Sequence, residues 1–291
     1  MMRTTPTVST FSIVARDPTT GDLGIAVESK FLAVGAVVPW ARAGIGAVAT
    51  QAHANVGYGP DGLVMLATGL TAQETLGRLL ADDDGRDVRQ VGIVDAQGNA
   101  ASWSGPDCSD WAGGQIGDGF CCQGNILTGP EVVDAMVEGY TTIGGTFANR
   151  LLAALEAGQA AGGDSRGQQS AALLIVRANG GYSGGNDRWI DLRVDDHLEP
   201  IAELRRLMLL HRVYFDLDDA DIQPLDDALL RVIAGQLVAL GMLESGDAER
   251  SSVEEALGRW AGRENLEERL REDGQIDSVV LEMLRTAAGP H

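Results

Sequence analysis

The chain has 291 residues, 44% of them hydrophobic and only 5% aromatic, which is enough for one large domain, or one domain and a smaller one, with an aliphatic core. A formal net charge of −20 argues against nucleic acid and anionic membranes as partners. The three cysteines lack zinc spacing and predict reduced thiols, and the first eight residues carry no apolar run, so we expect a cytoplasmic protein without a membrane span.

The first pattern along the chain is a strand hairpin. Residues 10–16 and 23–30 alternate loosely between apolar and polar, and the turn between them is rich in Asp, Pro, Thr and Gly. Lys30, the only lysine, stands at the end of the second strand. Either this is an accident of an Arg-rich composition, or the site needs a compact, titratable charge instead of a guanidinium fork.

The next patterns alternate between strands and pairs of helices. Residues 31–40 are apolar and β-prone, and residues 44–51 predict a strand that runs into a Gly-rich loop. Thr71 and Glu74 form a predicted capping box at the start of the second helix. The expected elements are helices at 60–68 and 72–81 closed by an acidic run at 82–84, a hairpin at 91–95 and 100–103, a β region at 113–125, helices at 130–139 and 147–157, and strands at 171–176 and 189–195.

Beyond residue 198 the pattern is helical and more acidic. Residues 198–291 carry 20 acidic and 10 basic residues, half of the net charge in a third of the length. Leu229, Ile233, Leu237 and Leu240 repeat at helical spacing, and further helices are expected at 252–260 and 277–284. We expect residues 216–221 to be a junction and the tail to be a small all-helical domain.

The helices arrive in pairs between hairpins, which is not the alternation of a parallel doubly wound sheet. The predicted class is α+β, with two stacked sheets covered outside by helix pairs. We expect an N-terminal extension at 1–9, a first domain at 10–212 and the helical domain at 213–291.

Several segments in this order resemble a family. They are TFSIVARD at 10–17, KFLAVGAVVPWARAG at 30–44, QGN at 123–125, GGDSRG at 162–167, QSA at 169–171 and DLRVDDH at 191–197. Together they resemble domain-of-unknown-function family 1028. The resemblance implies a four-layer αββα sandwich similar to the N-terminal-nucleophile hydrolases. The tail, from residue 260 on, resembles a module named for peptidoglycan binding.

In the fold that the chain resembles, the first residue supplies the nucleophile and its own α-amine is the base. Thr10 aligns with that position. Lys30 would keep the amine neutral, Glu28 and Ser29 would orient it, and Asn55 or Asn125 would donate to the oxyanion. Residues expected to bind substrate are Gln51, Gln123, Asp164, Arg166 and Gln168.

The departure from that family is that nine residues precede Thr10. An amide nitrogen cannot act as the base, so Thr10 needs a cut after Ser9. Self-cleavage, a wrongly assigned start and loss of activity all remain open, as does the reading of Thr10 as merely the first residue of a strand.

Other polar residues have simpler, structural interpretations. The loop of Asp164, Arg166 and Gln168 could bind an anion or a metal, but a turn is favoured. Asp191, Asp195, Asp196 and His197 are read as solvated residues of an exposed strand, not as a cation site, and His53 and His211 lack partners at metal spacing, so no metal and no cofactor are expected. Cys121 and Cys122 are read as core residues.

Two functions remain. The first is an amide-bond hydrolase acting on a small amide or a cell-wall-derived peptide. The second is a non-catalytic protein that keeps the fold and binds a ligand or peptidoglycan fragments. A homo-oligomer is expected by analogy with the architecture.

Overall fold

The computed structural model describes residues 10–215, 222–246, 249–271 and 273–289, and the chain divides into two compact units, 1–205 and 206–291. The boundary predicted after residue 212 falls inside a helix that spans Pro200–Phe215 and stays a prediction. The expected junction at 216–221 lies outside the described residues.

The described part of the first unit contains ten strands and four α-helices, in addition to the start of the helix that begins at Pro200. The strands are β1 Thr10–Arg16, β2 Leu23–Ser29, β3 Pro39–Arg42, β4 Gly46–Ala52, β5 Arg89–Asp95, β6 Ala100–Ser104, β7 Gly113–Gly117, β8 Phe120–Asn125, β9 Ser170–Val176 and β10 Arg188–Val194. The helices are α1 Tyr58–Ala67, α2 Ala72–Ala81, α3 Glu131–Thr142 and α4 Phe147–Ala160, and α5 is Pro200–Phe215.

These strands form two antiparallel sheets. One has six strands in the order β10-β9-β2-β1-β8-β7, and the other has four in the order β3-β4-β5-β6. In the six-stranded sheet, β1 lies between β2 and β8, with Thr10 opposite Ser29 on one side and opposite Asn125 on the other. The first strand of the described chain is therefore central in its sheet.

Local sequence signals account for the ends of several elements. In the turn between β1 and β2, the Asp17 carboxylate accepts from the Thr19 N–H at 2.8 Å. At the start of α2, the Thr71 hydroxyl accepts from the Glu74 N–H while the Glu74 carboxylate accepts from the Thr71 N–H, so the predicted capping box is confirmed. The Thr146 hydroxyl caps α4 by accepting from the Asn149 N–H at 3.3 Å.

Each sheet is covered by its own pair of helices. Helices α1 and α2 contact the four-stranded sheet, α3 and α4 contact the six-stranded sheet, and β1 contacts β4 and β5 of the opposite sheet. Between the sheets, Val14 and Ile25 pack against Ala47 and Val94. On the other face of β1, a methyl group added at Gly158 of α4 would come within 3.3 Å of Phe11. Even positions of β1 thus face the second sheet, and odd positions face α4.

Two expectations for the first unit need correction. The β-prone segment at 31–40 forms a 3-10 turn at Val34–Ala36 before β3 begins, because Ala33 takes a left-handed conformation and the Val34 N–H donates to Ser170 Oγ at 3.0 Å. The β region predicted at 113–125 is two strands, β7 and β8, joined by a tight turn in which Gly119 has a φ of 75°.

The second unit is mostly helical. Its elements, apart from the end of α5, are β11 Ile222–Pro224, α6 Asp227–Ala239, α7 Arg250–Arg263, β12 Gln275–Asp277 and α8 Ser278–Ala288. The pairing of β11 with β12 corrects the expectation of an all-helical domain. Its core includes Ile233, Leu237 and Trp260. Across the parts of the chain that the structure describes, no helix has the length and apolar character needed to traverse a bilayer.

Candidate functional site

The space between the two sheets changes from apolar to polar toward the start of β1. Seven fully buried polar side chains lie on the facing strands there, and we call them the inter-sheet polar cluster. They are Thr10, Ser12, Ser29, Gln51, Gln90, Gln123 and Asn125. Because a buried polar group without a partner is costly, their mutual hydrogen bonds are what permits this cluster to exist.

Two paired glutamines of the four-stranded sheet make hydrogen bonds to side chains of the six-stranded sheet. Gln51 and Gln90 pair across β4 and β5, and Gln51 Nε2 donates to Gln90 Oε1 at 2.8 Å. Ser12 Oγ of the six-stranded sheet donates to Gln51 Oε1 at 2.6 Å and accepts from Gln123 Nε2 at 2.7 Å. The amide of Asn125 donates to Gln90 Oε1 at 2.9 Å. These bonds tie the ends of four strands into one network.

Thr10 lies at the edge of this network. Its Oγ1 donates to Ser29 Oγ at 3.2 Å, and its backbone oxygen accepts from Gln51 Nε2 at 3.3 Å. Asn125 stands directly opposite Thr10 in the β1–β8 ladder. This strand end brings together two hydroxyls and a carboxamide, which are groups of the kinds that serve as nucleophiles and oxyanion donors, while none of them is a base.

The other predicted strand-end residues form a second group around Asp164. The Asp164 carboxylate, whose side chain is fully buried, accepts from the Lys30 backbone N–H at 3.2 Å and pairs with the Arg166 guanidinium at 3.2 Å. Its Oδ1 also accepts from the Arg166 N–H at 2.9 Å, which is an Asx turn. Lys30 is exposed, and its Nζ donates to the backbone oxygen of Gln168 at 2.9 Å. Asp164 thus anchors the 162–168 loop to the end of β2.

Glu28 is the unusual member of this group. It is fully buried on the face of β2 that it shares with Ala26, and neither of its carboxyl oxygens has a well-formed hydrogen bond in the described chain. Burial, and next the charge of Asp164, raise the pKa of Glu28 well above its ordinary value, while the Gln169 N–H, Lys30 and Arg166 act in the opposite direction. Glu28 is therefore a carboxyl group that favours its neutral form.

Asn55 lies in a third place, at the start of α1. Its Nδ2 donates to Asp83 Oδ2 at 3.1 Å, and its Oδ1 accepts from the Gly57 N–H at 3.1 Å. Asp83 also accepts from the Tyr58 hydroxyl at 2.8 Å and from Arg89 Nε at 2.9 Å. Both polar ends of the Asn55 amide are thus engaged in a structural role, whereas Asn125 stands beside Thr10. The role of either asparagine as an oxyanion donor stays a prediction.

Two non-glycine residues next to the cluster have left-handed backbone conformations. Ala52 follows Gln51 with a φ of 64°, and Ile126 follows Asn125 with a φ of 54°. This region is unfavourable for a residue with a side chain, most of all for a β-branched one. Backbone strain of this kind concentrates at functional sites.

The acidic residues of β10 and the segment after it do not gather into one site. Asp191 pairs with Arg188, Asp195 pairs with Arg193, and Asp196 accepts from Gln169 Nε2. Within the described residues, no group of three or more His, Cys, Asp or Glu side chains is arranged to hold a metal ion.

Sequence reasoning found Thr10, Ser29, Gln51, Gln123 and Asn125 but missed Ser12 and Gln90, which hold the cluster together. The missing signal is the strand register. Gln51 and Gln90 are ordinary polar residues near strand ends until the β4–β5 pairing places them side by side.

The comparisons with known proteins agree with this division of the chain. Residues 10–204 match the family model described as "Family of unknown function (DUF1028)", a match that begins at Thr10. Residues 216–284 match the model described as "Putative peptidoglycan binding domain". No protein in the curated set matches.

Among solved structures, the crystal structure of protein SPO2555 from Silicibacter pomeroyi, titled as a DUF1028 protein, is similar to this chain. The two are 32% identical with a TM-score of 0.65, and the match covers 70% of this chain and 86% of that one. The family model and this structural likeness together cover most of the first unit, and the chain belongs to the DUF1028 family.

Proposed function

We propose that the first unit is an amide-bond hydrolase of the N-terminal-nucleophile type, with its two sheets and two helix pairs forming a four-layer αββα sandwich. The observation that carries the proposal is the place of Thr10. It opens the central strand of its sheet, its hydroxyl donates to Ser29, and the carboxamide of Asn125 lies opposite. The left-handed residues beside the cluster support it.

The chemistry requires a free α-amine on Thr10. In the intact chain this nitrogen belongs to the Ser9–Thr10 peptide bond, whose lone pair is delocalised and cannot accept a proton. After cleavage, the amine, with an ordinary pKa near ~8, takes the hydroxyl proton as Oγ1 attacks the substrate carbonyl. Asn125 donates to the oxyanion, the amine product leaves with a proton, and water hydrolyses the acyl-enzyme ester.

The remaining strand-end residues have supporting roles in this proposal. Gln51 and Gln123 fix the backbone and side chains around Thr10 through the inter-sheet polar cluster. Lys30, Asp164, Arg166 and Gln168 hold the loop that covers the end of β2, and substrate binds against that loop. The substrate is a small amide or a peptide derived from the cell wall.

A second candidate function follows from the tail. Residues 216–284 match the peptidoglycan-binding model, and Thr10 is fully buried with its nitrogen in a peptide bond. A protein that keeps the fold without the chemistry, and binds peptidoglycan fragments, would have these features. For either function we also propose a homo-oligomer located in the cytoplasm, which light scattering and cell fractionation test.

The test begins with the mature N-terminus. Intact mass and N-terminal sequencing of the purified protein reveal whether it starts at Thr10. A second preparation, released from a removable fusion partner so that Thr10 is the first residue, is assayed against a panel of acyl-amino-acid and dipeptide p-nitroanilides. We expect hydrolysis by the chain that starts at Thr10, about a thousandfold less by Thr10→Ala, and no loss in the control Thr142→Ala on the exposed end of α3.

Two results would reject the hydrolase. One is a Thr10-initiated protein that is folded by circular dichroism but hydrolyses none of the panel. The other is a Thr10→Ala variant as active as its parent. Sedimentation of the intact protein with insoluble peptidoglycan, against the same protein truncated after residue 205 as a control, then tests the binding function.

A further inference from the structure

A cleft of about 440 Å³ lies at the opposite end of the sheets from Thr10. It is where the turns after β1, β5 and β7 meet the end of α3 and the first turns of α4. The residues that matter for its chemistry are Arg16, Gly98, Phe120, Tyr140 and Arg150. Its volume is within the range of pockets that enclose small organic molecules.

Arg16 is the last residue of β1, and its backbone N–H donates to the Gly119 oxygen at 2.8 Å, which fixes the start of its side chain. A methyl group added at Gly98 would come within 3.8 Å of its Cδ, and one at Gly21 within 3.5 Å of Nη2, so the guanidinium lies between two turns. Its Nε is buried without an acceptor, and the Arg16 side chain makes no ion pair with any described residue. An arginine side chain without a carboxylate partner keeps N–H donors for a ligand at the outer end of its guanidinium.

Arg150 supplies a second guanidinium, which is held in position by an ion pair and by two aromatic rings. Its Nη2 donates to Asp17 Oδ2 at 3.0 Å, and its central carbon lies 5.3 Å from the Tyr140 ring centroid and 5.6 Å from that of Phe147. An arginine has five N–H donors, and among the described residues Arg150 uses one of them, in the hydrogen bond to Asp17. The other donors remain for a ligand.

An aromatic wall completes the cleft. The rings of Phe120 and Tyr140 are 4.9 Å apart between centroids and tilted by 53°, and both side chains are buried. One carboxylate, that of the exposed Asp118, also lines the cleft. In a chain with 42 acidic and 22 basic residues, a pocket with two guanidinium groups, one of them without a carboxylate partner, is built for an anion.

We propose that this cleft binds a small oxyanion, a carboxylate or a phosphate, that carries an aromatic body. The oxyanion accepts hydrogen bonds from Arg16 and Arg150, and the aromatic body packs against Phe120 and Tyr140. Arg16 and Thr10 occupy the two ends of β1, about 20 Å apart at the rise of a strand. The cleft is therefore separate from the inter-sheet polar cluster and does not depend on the proposed hydrolysis.

The test is calorimetric titration of the full chain with phenyl phosphate, benzoate and inorganic phosphate. We expect saturable binding of phenyl phosphate or benzoate, and the comparison of these two shows which head group the arginines prefer. Inorganic phosphate should bind at least tenfold more weakly than phenyl phosphate, because it lacks the aromatic body. Equal affinities for these two would overturn the role of the aromatic wall.

Variants then locate the binding site. Arg16→Gln should weaken binding at least tenfold, while Arg42→Gln, which removes an exposed arginine from β3, should leave it unchanged. Thr141→Phe, at an exposed position of the cleft, should block binding by filling the cleft while leaving both arginines and the Arg150–Asp17 ion pair in place. If Arg16→Gln fails to fold, Thr141→Phe alone shows whether the probe binds in this cleft. No saturable binding of any probe by the full chain, or binding by Arg16→Gln and Thr141→Phe as tight as that of the unmodified chain, would overturn the proposal.

Discussion

Gln51 and Gln90 face each other across the β4–β5 ladder, and the 2.8 Å bond between their amides is the bridge on which the polar space between the sheets depends. Gln90 also donates from Nε2 to Ser104 Oγ and to the Gly124 oxygen, both at 2.7 Å. Its oxygen accepts from Asn125 as well as from Gln51. One side chain therefore satisfies groups on β4, β6 and β8.

The first prediction concerns this amide. Gln90→Leu keeps the approximate size of the side chain but leaves the Asn125 and Gln51 donors and the Gly124 oxygen without their partner, in a place that water does not reach. We expect the free energy of unfolding to fall by about 3 kcal/mol, measured by urea denaturation. Gln73→Leu, on the exposed face of α2, is the matched control and should change it by less than ~0.5 kcal/mol. A loss no larger than that of the control would mean that the network adds little to stability.

Local sequence signals predicted much of the first unit. The hairpin at the start, the capping box of Thr71 and Glu74 and the apolar strand near 171–176 follow from turn chemistry, capping and hydrophobic patterning. The 3-10 turn at Val34–Ala36 does not, because it depends on the hydroxyl of Ser170, which is 136 residues away in the chain. Tertiary contacts decide such a segment against its β propensity.

The candidate site likewise contains residues that the sequence predicts and contacts that it does not. Thr10 and Lys30 are visible in the sequence as residues at strand ends. The facing of Gln51 with Gln90, and of Thr10 with Asn125, depends on register, which a single sequence does not specify. The sequence predicts that the acidic run at 82–84 ends a pair of helices. Its middle residue, Asp83, differs from its neighbours through the tertiary positions of Asn55, Tyr58 and Arg89, whose side chains donate to its carboxylate.

The second prediction is a pH dependence that originates in Glu28. Its pKa is raised in the folded state, mainly by burial, while in the unfolded chain it is near ~4.3. Between these values the folded protein retains a proton that the unfolded chain releases, so this group's contribution to stability is full below the unfolded value and declines as the pH rises toward the folded one. The amide of Glu28→Gln does not ionise in this pH range. The variant should therefore gain stability relative to the unmodified protein as the pH rises from 5 to 8.

Urea midpoints at a series of pH values provide the measurement. Glu138→Gln, at an exposed position of α3, is the control, and its difference from the unmodified protein should be nearly the same at every pH. If the Glu28→Gln difference were equally flat, Glu28 would be ionised in the folded protein, against the burial seen here.

The third prediction concerns Asp83, whose pKa is lowered in the folded protein, so its effect on stability has the opposite pH dependence to that of Glu28. Burial opposes the ionisation of Asp83, but hydrogen bonds from Arg89, Tyr58, Asn55 and the Gly85 N–H outweigh it and hold the pKa of Asp83 well below its ordinary range. The resulting stabilisation is full above the unfolded pKa, near ~3.9, and is lost as the pH falls through the folded value. We expect Asp83→Asn to cost about 1–3 kcal/mol at pH 7 and the difference to shrink below pH 4.

The neighbouring Asp84 gives the control for this effect. It is exposed, and Asp84→Asn removes the same charge from the same turn. Its urea midpoint at pH 7 should stay close to that of the unmodified protein. If the two variants behaved alike, the net charge of the acidic run, not the bonds of Asp83, would set the stability of this end of α2.

The fourth prediction concerns the buried ion pair of the second unit. Arg269 Nη1 and Asp277 Oδ2 are 2.5 Å apart, and both side chains are 3% exposed. Arg269 Nε also donates to the Val213 oxygen at 2.8 Å, and Asp277 Oδ1 accepts from the Val279 N–H at the start of α8. The pair therefore joins the end of α5, β12 and α8. Removing one partner leaves a buried charge without compensation, so Asp277→Ala should lose about 3–5 kcal/mol.

Asp273→Ala tests whether this loss belongs to the buried pair. Asp273 pairs with Arg271 at 2.5 Å, but both side chains are largely exposed, and a solvated ion pair contributes little. The urea midpoint of Asp273→Ala should remain unchanged within error.

Trp260 provides a probe of the second unit alone, because it is the only tryptophan of residues 206–291. Its fluorescence is followed during unfolding in a variant whose other four tryptophans are replaced by Phe. A midpoint for Asp277→Ala that equals that of Asp273→Ala would show that Arg269 is compensated by the Val213 and Arg212 oxygens without the carboxylate.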